Sequence, residues 1–344
     1  MAGRGNDGTT PPRRRRLLRG LIVLGACAAL AGPSVAHAGT SLPPADPTHN
    51  PLLTLQDKDV SIGVDLHWGG ALSVLIDKKT GRNLINRHDV GRLVQQSYYG
   101  AGKYAGCDFG LNPVQGGDSA GNESGVQAAT KEHGTVYVRS RPLDWCLNGQ
   151  HPDVTYENWY TLEGSAVHVV ARATFRNVAH GGIRSQEWPA IFTIPQLNNY
   201  VRYDGDQPFT GGALSSSTPG FPNETQSNTE GWGSHVDTSG RGLGWFVPNV
   251  FTSTNYNYTG QGGTGDLADA TSYSAPIPSV SLSTNSVFQY DYWLVAGTPD
   301  DVRKLASTQW APSQSVWEFD HADDRQMWSA SADVDGDGPG AAGW

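Results

Sequence analysis

From residue 60 onward, apolar and polar positions alternate in short runs. Val60, Ile62, Val64 and Leu66 are apolar while Ser61, Gly63 and Asp65 are not, a period of two that predicts a half-buried strand. Trp68-Gly69-Gly70 turns the chain into a second strand over 71–76, and Asp77-Lys78-Lys79-Thr80-Gly81 turns it again. This hairpin leads into 83–99, which reads NLINRHDVGRLVQQSYY. The same patterning predicts strands over 135–140, 154–162, 166–175, 185–194, 244–248, 279–282 and 287–295. Stretches rich in Gly, Ser, Thr and Asn at 100–125, 211–234 and 255–269 read as loops. One helix is expected over 298–308. Thr298 suits the cap, Pro299 the first turn, and Asp300 and Asp301 the positive N-terminal end. The pattern therefore predicts an all-β protein with one short late helix.

The first 38 residues stand apart. Arg13, Arg14, Arg15, Arg16 and Arg19 precede an apolar run from Leu17 to about Leu30, and Ala36-His37-Ala38 has the form of a cleavage site. This reads as an export signal of the Sec type or, from Arg14-Arg15-Arg16-Leu17-Leu18-Arg19, of the twin-arginine type. The apolar run is shorter than the roughly 20 residues of a membrane span. A lipobox at Leu24-Gly25-Ala26-Cys27 is the alternative, opposed by the apolar run continuing past Cys27. Cleavage would remove six of the 24 Lys and Arg and one of the 33 Asp and Glu, taking the net charge from −9 to −14. Such a surface repels nucleic-acid phosphates and anionic membranes. The expected localisation is extracellular, with no nucleic-acid partner and no membrane span. Cys107 and Cys146 are the cysteines left after cleavage, and an exported protein pairs two cysteines as a disulfide more readily than it builds a metal site from them.

Candidate chemistry concentrates in 83–99, where His88, Asp89, Arg92, Gln95, Gln96, Tyr98 and Tyr99 lie close together. Arg and Gln offer fixed donors, Asp an acceptor, and Tyr an apolar face with a polar tip. A sugar presents the reverse: hydroxyls around the ring edge and C–H groups on its faces. The bland alternative is a polar loop and edge strand held by its own hydrogen bonds. The glycine-rich loop 100–125 adds Gln115 and Asp118, and long loops in compact domains tend to be functional or disordered. Glu187 precedes Trp188 and Pro189 at the mouth of an apolar run. Burial against Trp188 would raise its pKa and suit it to act as an acid, or it caps a bend or pairs with Arg184. Trp232 closes the second polar stretch. His168, within a predicted strand, reads as a satisfied or surface side chain rather than a ligand.

No nucleophile elbow, Walker loop, H-E-x-x-H, C-x-x-C pair or dinucleotide fingerprint occurs. The scattered His residues show no metal-type spacing, so no metal site is expected in the body of the chain. After Pro312 the texture changes, and Asp333, Asp335 and Asp337 resemble the opening of a calcium loop. The Glu that closes such a loop is replaced by Trp344.

The run G-G-A-L-S, N-L-I-N and H-D-V-G-R, followed by Gln186-Glu187-Trp188-Pro189-Ala190 and Gly242-Leu243-Gly244, resembles the galactose mutarotase-like superfamily. That resemblance implies a large antiparallel β-sandwich, the supersandwich, in a group that includes sugar epimerases and non-catalytic domains of glycosidases and polysaccharide lyases. Mutarotases use a His acid and a Glu base; Glu187 would take the base position, and no His here matches the acid's motif. The expected layout is an export signal at 1–38, a linker at 39–51, a carbohydrate-active domain at 52–310 and the start of a C-terminal module at 311–344.

Three functions follow as expectations. The first is a secreted glycoside hydrolase or polysaccharide lyase acting on an oligo- or polysaccharide. Glu187 and a second carboxylate, Asp89 or Asp118, would do the acid–base or nucleophilic work. His88, Arg92, Gln95, Gln96, Tyr98, Tyr99, Gln115, Trp188 and Trp232 would bind substrate, and Tyr98 or His88 would be the base of a lyase. The second is a non-catalytic carbohydrate-binding protein, and the third a structural or adhesive body. Convergence of Glu187 with another carboxylate separates the first from the others.

Overall fold

The alternating runs assemble into two large antiparallel sheets. The computed structural model describes residues 52–178, 182–281 and 284–314; the export signal, the linker 39–51, the calcium candidate at Asp333, Asp335 and Asp337, and residues 315–344 lie outside them. The first sheet runs in the order Leu52–Gln56, Val60–Asp65, Ala71–Asp77, Val94–Ser97, Glu187–Thr193, Thr271–Pro276, Thr252–Tyr258 and Glu224–Ser227. The second runs Ser215–Ser217, Asn199–Arg202, Trp232–Val236, Gly242–Phe246, Ser286–Gly297, Ala166–Phe175, Val154–Glu163, Thr135–Arg141 and Gly125–Glu132. The expected all-β sandwich is thus observed.

The core lies between the sheets, where one side of each strand is buried. Ile62, Leu72, Leu75, Val94, Tyr98 and Ile191 from the first sheet meet Val136, Tyr156, Tyr160, Val169, Tyr292 and Leu294 from the second. Burying such a side chain fully is worth about 1.5–3 kcal/mol. Polar atoms that enter this layer are matched across it. Gln96 Nε2 donates to Asn158 Oδ1 at 2.9 Å, Tyr160 Oη to the Gly70 carbonyl at 2.8 Å, and Trp245 Nε1 to Ser274 Oγ at 2.8 Å.

The helix Pro299–Gln314 covers the other side of the second sheet. Thr298 Oγ1 accepts from the Asp301 amide at 3.3 Å while Asp301 Oδ2 accepts from the Thr298 amide at 2.8 Å, a reciprocal cap. Val302 and Ala306 bury against Trp232, Phe246, Trp293 and Val295. The helix runs past the expected end at 308 to Gln314, with Pro312 inside its last turn.

Some expected loops are partly strand. Stretch 211–234 contains Ser215–Ser217 and Glu224–Ser227 and enters Trp232–Val236, and 255–269 begins inside Thr252–Tyr258. Their Ser, Thr and Asn side chains resemble loop composition, but tertiary pairing decides the backbone state. The expected strand 185–194 divides: Ile183–Ser185 pairs separately with Ser279–Ser281, and Glu187–Thr193 enters the first sheet.

Candidate functional site

Strand alternation sorts the polar run of 83–99. Along Val94–Ser97 and into Tyr99, Val94, Gln96 and Tyr98 point into the core, and Gln95, Ser97 and Tyr99 point to the outer face of the first sheet. On the neighbouring strand the pairing with Val94–Ser97 shifts register between Glu187 and Ala190. The extra residue of this bulge lets Glu187 and Ile191, four positions apart, occupy opposite faces. Glu187 faces outward opposite Ser97, while Ile191 belongs to the core. Tyr273 and Tyr256 stand cross-strand on the same outer face, their rings stacked with centroids 4.6 Å apart.

These strands build a carboxyl group enclosed by hydroxyls. Tyr273 Oη donates to Glu187 Oε1, and the hydroxyls of Tyr99 and Ser97 also reach the carboxyl. Burial pushes the Glu187 pKa above the ordinary carboxylate range, against the downward pull of those three hydroxyls. Burial and the charge of Glu187 hold the phenols of Tyr99 and Tyr273 well above their usual value, so both remain donors at neutral pH. The Tyr256 phenol is likewise raised, first by burial, then by Glu187 and Asp89, against the opposing charge of Arg92.

Arg92 is matched by two acids. It pairs with Asp89, and its Nη2 donates to Asp269 Oδ1 at 3.1 Å and to the Asp269 carbonyl at 2.7 Å. The 83–92 segment clamps the loop that carries Asp269. Asn86 Nδ2 donates to the carbonyls of Ala268 and Ala270 at 3.0 and 2.9 Å, Arg87 Nε to Asp266 Oδ2 at 2.7 Å, and His88 Nδ1 lies 2.9 Å from the Leu267 carbonyl. His88 Nε2 is 3.7 Å from Asp269 Oδ1. Asp89 itself is exposed and accepts from the amides of Gly91 and Arg92 at 3.0 and 3.1 Å.

The structure therefore brings Glu187, Tyr99, Arg92, Asp89 and His88 to one side of the first sheet and takes other sequence candidates elsewhere. Gln95 is buried, its Nε2 donating to the Val90 and Arg92 carbonyls and its Oε1 accepting from the Gly116 amide. Gln96 bridges the sheets, and Tyr98 donates to its Oε1 at 2.8 Å. Gln115 accepts from the Gln96 amide at 3.1 Å and donates to the Gly69 carbonyl at 3.0 Å. Asp118 ties its own loop to the turn at Gly149, accepting from the amides of Ala120, Asn122 and Gly149 and from Asn122 Nδ2. Burial pushes the Asp118 pKa up, but these donors together bring it below the ordinary range. Trp232 is fully buried and donates to Glu230 Oε2 at 2.7 Å. Trp188 turns inward, stacked on Tyr290 at 4.6 Å. Glu187 thus faces outward opposite Ser97 while Trp188 faces the core. His168 stacks on Trp293 at 4.3 Å, with Glu163 and Asp291 at its two nitrogens. Cys107 and Cys146 are joined as a disulfide, Cα–Cα 6.1 Å.

Ser97, Tyr256, Tyr273 and Asp269 are site residues that the sequence reading passed over. The signal was the alternation Thr252, Thr254, Tyr256, Tyr258 against Ser253, Asn255, Asn257, obscured by residues that also fill loops. A surface cleft of about 410 Å³ bordered by Ile76, Arg82, Asn83, Ile194, Gln196 and Asp266 shares no side chain with this cluster. Its charged groups are already paired, Arg82 with Asp237 and Asp266 with Arg87, so the chemistry points to Glu187 instead.

No protein-family model and no curated protein matches the sequence. The solved structures that align with the chain include galactose mutarotase-like proteins, a TPR-domain containing protein and a glucanotransferase. A galactose mutarotase-like protein from Lactobacillus casei aligns with a TM-score of 0.44 and 11% identity over 71% of this chain and 99% of its own. A putative aldose 1-epimerase from Escherichia coli gives 0.42 and 10% over 71% and 98%. A 4-alpha-glucanotransferase from Thermococcus litoralis gives 0.41 and 9% over 71% and 37%. This likeness concerns the fold alone.

Proposed function

We propose that this chain is an exported carbohydrate-active protein, a glycoside hydrolase acting on an extracellular oligo- or polysaccharide, with Glu187 as its general acid. The observation that carries the proposal is a buried carboxyl with a raised pKa, held by Tyr273, Tyr99 and Ser97 on an aromatic face. Such a group retains its proton at higher pH than an exposed carboxyl and delivers it to a glycosidic oxygen. The three hydroxyls then stabilise the carboxylate left behind. Asp89, ion-paired with Arg92, is the second carboxylate, since its charge and that of Glu187 both act on Tyr256. It would activate water or attack the anomeric carbon. Asp118 is given no part in this chemistry, because its oxygens are bound to amides of its own loop and of Gly149.

A lyase is less well supported. It must neutralise a uronate carboxylate, and Arg92 already faces two aspartates. The test is a glycan screen scored for new reducing ends and for unsaturated-product absorbance. Reducing ends without absorbance are expected, and Glu187→Gln should lower turnover by about 10²–10⁴-fold while keeping affinity. Near-wild-type turnover would remove Glu187 from the mechanism. Absorbance of the product double bond would replace the hydrolase by a lyase. One observation favours a binding-only protein: no second carboxyl hydrogen-bonds within the Glu187 cluster among the described residues. Binding on the same panel with neither product would establish that reading instead.

A further inference from the structure

We propose that the outer face of the first sheet is a track for a neutral glycan chain several sugars long, running across the strands and ending on Phe109 and Phe221. This rests on the reading of Glu187 as a carbohydrate site and adds the substrate's charge class, length and direction. The track is a row of rings with Glu187 at its middle. On one side Tyr99 carries Phe109, ring centroids 5.5 Å apart. On the other, Tyr273 stacks on Tyr256 at 4.6 Å, and Phe221 lies against both Tyr256 and Tyr258 at 5.4 Å. Ser97, Glu187, Tyr273 and Tyr256 come from four successive strands. Successive strands are about 4.8 Å apart, so with a ring beyond each end the row extends roughly 25 Å.

Both end rings are exposed, Phe109 by 36% and Phe221 by 63%, yet both are carried on anchored loops. The Phe109 carbonyl accepts from the Tyr104 amide at 2.8 Å, and the adjoining disulfide ties this loop to Cys146. On the Phe221 loop, the Gly220 amide donates to Glu224 Oε1 at 2.7 Å, and the Pro219 carbonyl accepts from the Asn257 amide at 3.0 Å, beside Tyr256. Between the end rings Tyr99, Tyr256 and Tyr258 are half-buried and Tyr273 is buried beneath Tyr256. The sugar contacts therefore fall on the half-buried phenols and the two end rings, which suit the alternating C–H faces and hydroxyl edges of a sugar chain. The charges select a neutral one. Arg92 is opposed by Asp89 and Asp269, and the whole chain carries −9, so a polyuronate would be repelled.

The experiment is calorimetric binding to the Glu187→Gln protein, which spares the ligand. The probes are disaccharides and hexasaccharides of the cello-, xylo-, manno- and galacto- series, with oligogalacturonates as the charged comparison. One neutral series should bind with hexamer affinity exceeding dimer affinity. Phe109→Ala and Phe221→Ala should each lower that ratio about three- to tenfold, the value of one aromatic contact. Phe221→Trp should retain it. An unchanged ratio in both alanine variants, with normal thermal unfolding, overturns the track and leaves the Glu187 reading standing. Preferential binding of oligogalacturonate overturns the neutral class. Silence across the panel, with wild-type protein equally silent, overturns the carbohydrate reading itself.

Discussion

Glu187 carries opposite demands on stability and chemistry. Its pKa in the folded chain is raised above the value of 4.5 that it has when unfolded, first by burial. Between those two values the folded state holds the extra proton. The stability contributed by Glu187 is therefore complete below about pH 4.5 and is lost as pH rises through the folded value. Glu187→Gln removes that loss. It should be more stable than wild type at pH 8, with the difference closing toward pH 4, as urea unfolding at the two pH values would measure. An equal difference at both would mean that ionisation is not what the substitution changed. Tyr273 offers a second test, because its hydroxyl pulls the Glu187 pKa down. Tyr273→Phe should shift the alkaline limb of the pH–activity profile upward, since the acid then keeps its proton longer. An unmoved limb would assign that limb to another group. The conspicuous polar run of 83–99 mattered less than it promised. Tyr98 and Tyr99 are adjacent and chemically alike, but strand alternation places one in the core and the other beside Glu187.

At the scale of elements, the strands facing the core were the legible ones. Ala166–Phe175 emerges with the bounds its alternation predicts, because both of its faces are sorted by burial and polarity. Thr252–Tyr258 and Thr271–Pro276 carry Tyr256 and Tyr273 outward but Ser and Asn inward, and a composition shared with loops hid the half of the site that they carry. The bulge after Glu187 was equally illegible, since only the register against Val94–Ser97 reveals it. Helix packing gives an element-level test. A Cβ at Gly244 would lie 2.2 Å from Val302 Cγ2, closer than any real contact, and Val302 is fully buried beneath the helix. Gly244→Ala should therefore cost about 1–3 kcal/mol and lower the melting temperature. The companion Val302→Ala should recover part of the loss. No recovery would place the strain in the strand rather than against the helix.

At the scale of the whole molecule, the two sheets are joined beneath the site by His235. It lies on Trp232–Val236 of the second sheet, 1% exposed, with Nδ1 3.0 Å from the Leu197 carbonyl and Nε2 3.2 Å from the carbonyl of Tyr273 in the first sheet. Burial lowers its pKa from 6.5 to about 4, although both carbonyls favour the charged ring. Between those values the unfolded chain binds the proton and the folded one does not, so stability is full above about pH 6.5 and falls as pH drops toward 4. A displacement of this size corresponds to roughly 3 kcal/mol across the window. Glu187 acts with the opposite sign and opposes the His235 contribution where their windows overlap above pH 4.5. His235→Gln keeps an N–H donor for the carbonyls but cannot titrate. Its unfolding free energy should therefore rise relative to that of wild type as pH falls from 6.5 to 4.5. If that difference stays flat, other groups set the acid limit, and the link from the second sheet to the backbone of Tyr273 does not govern it.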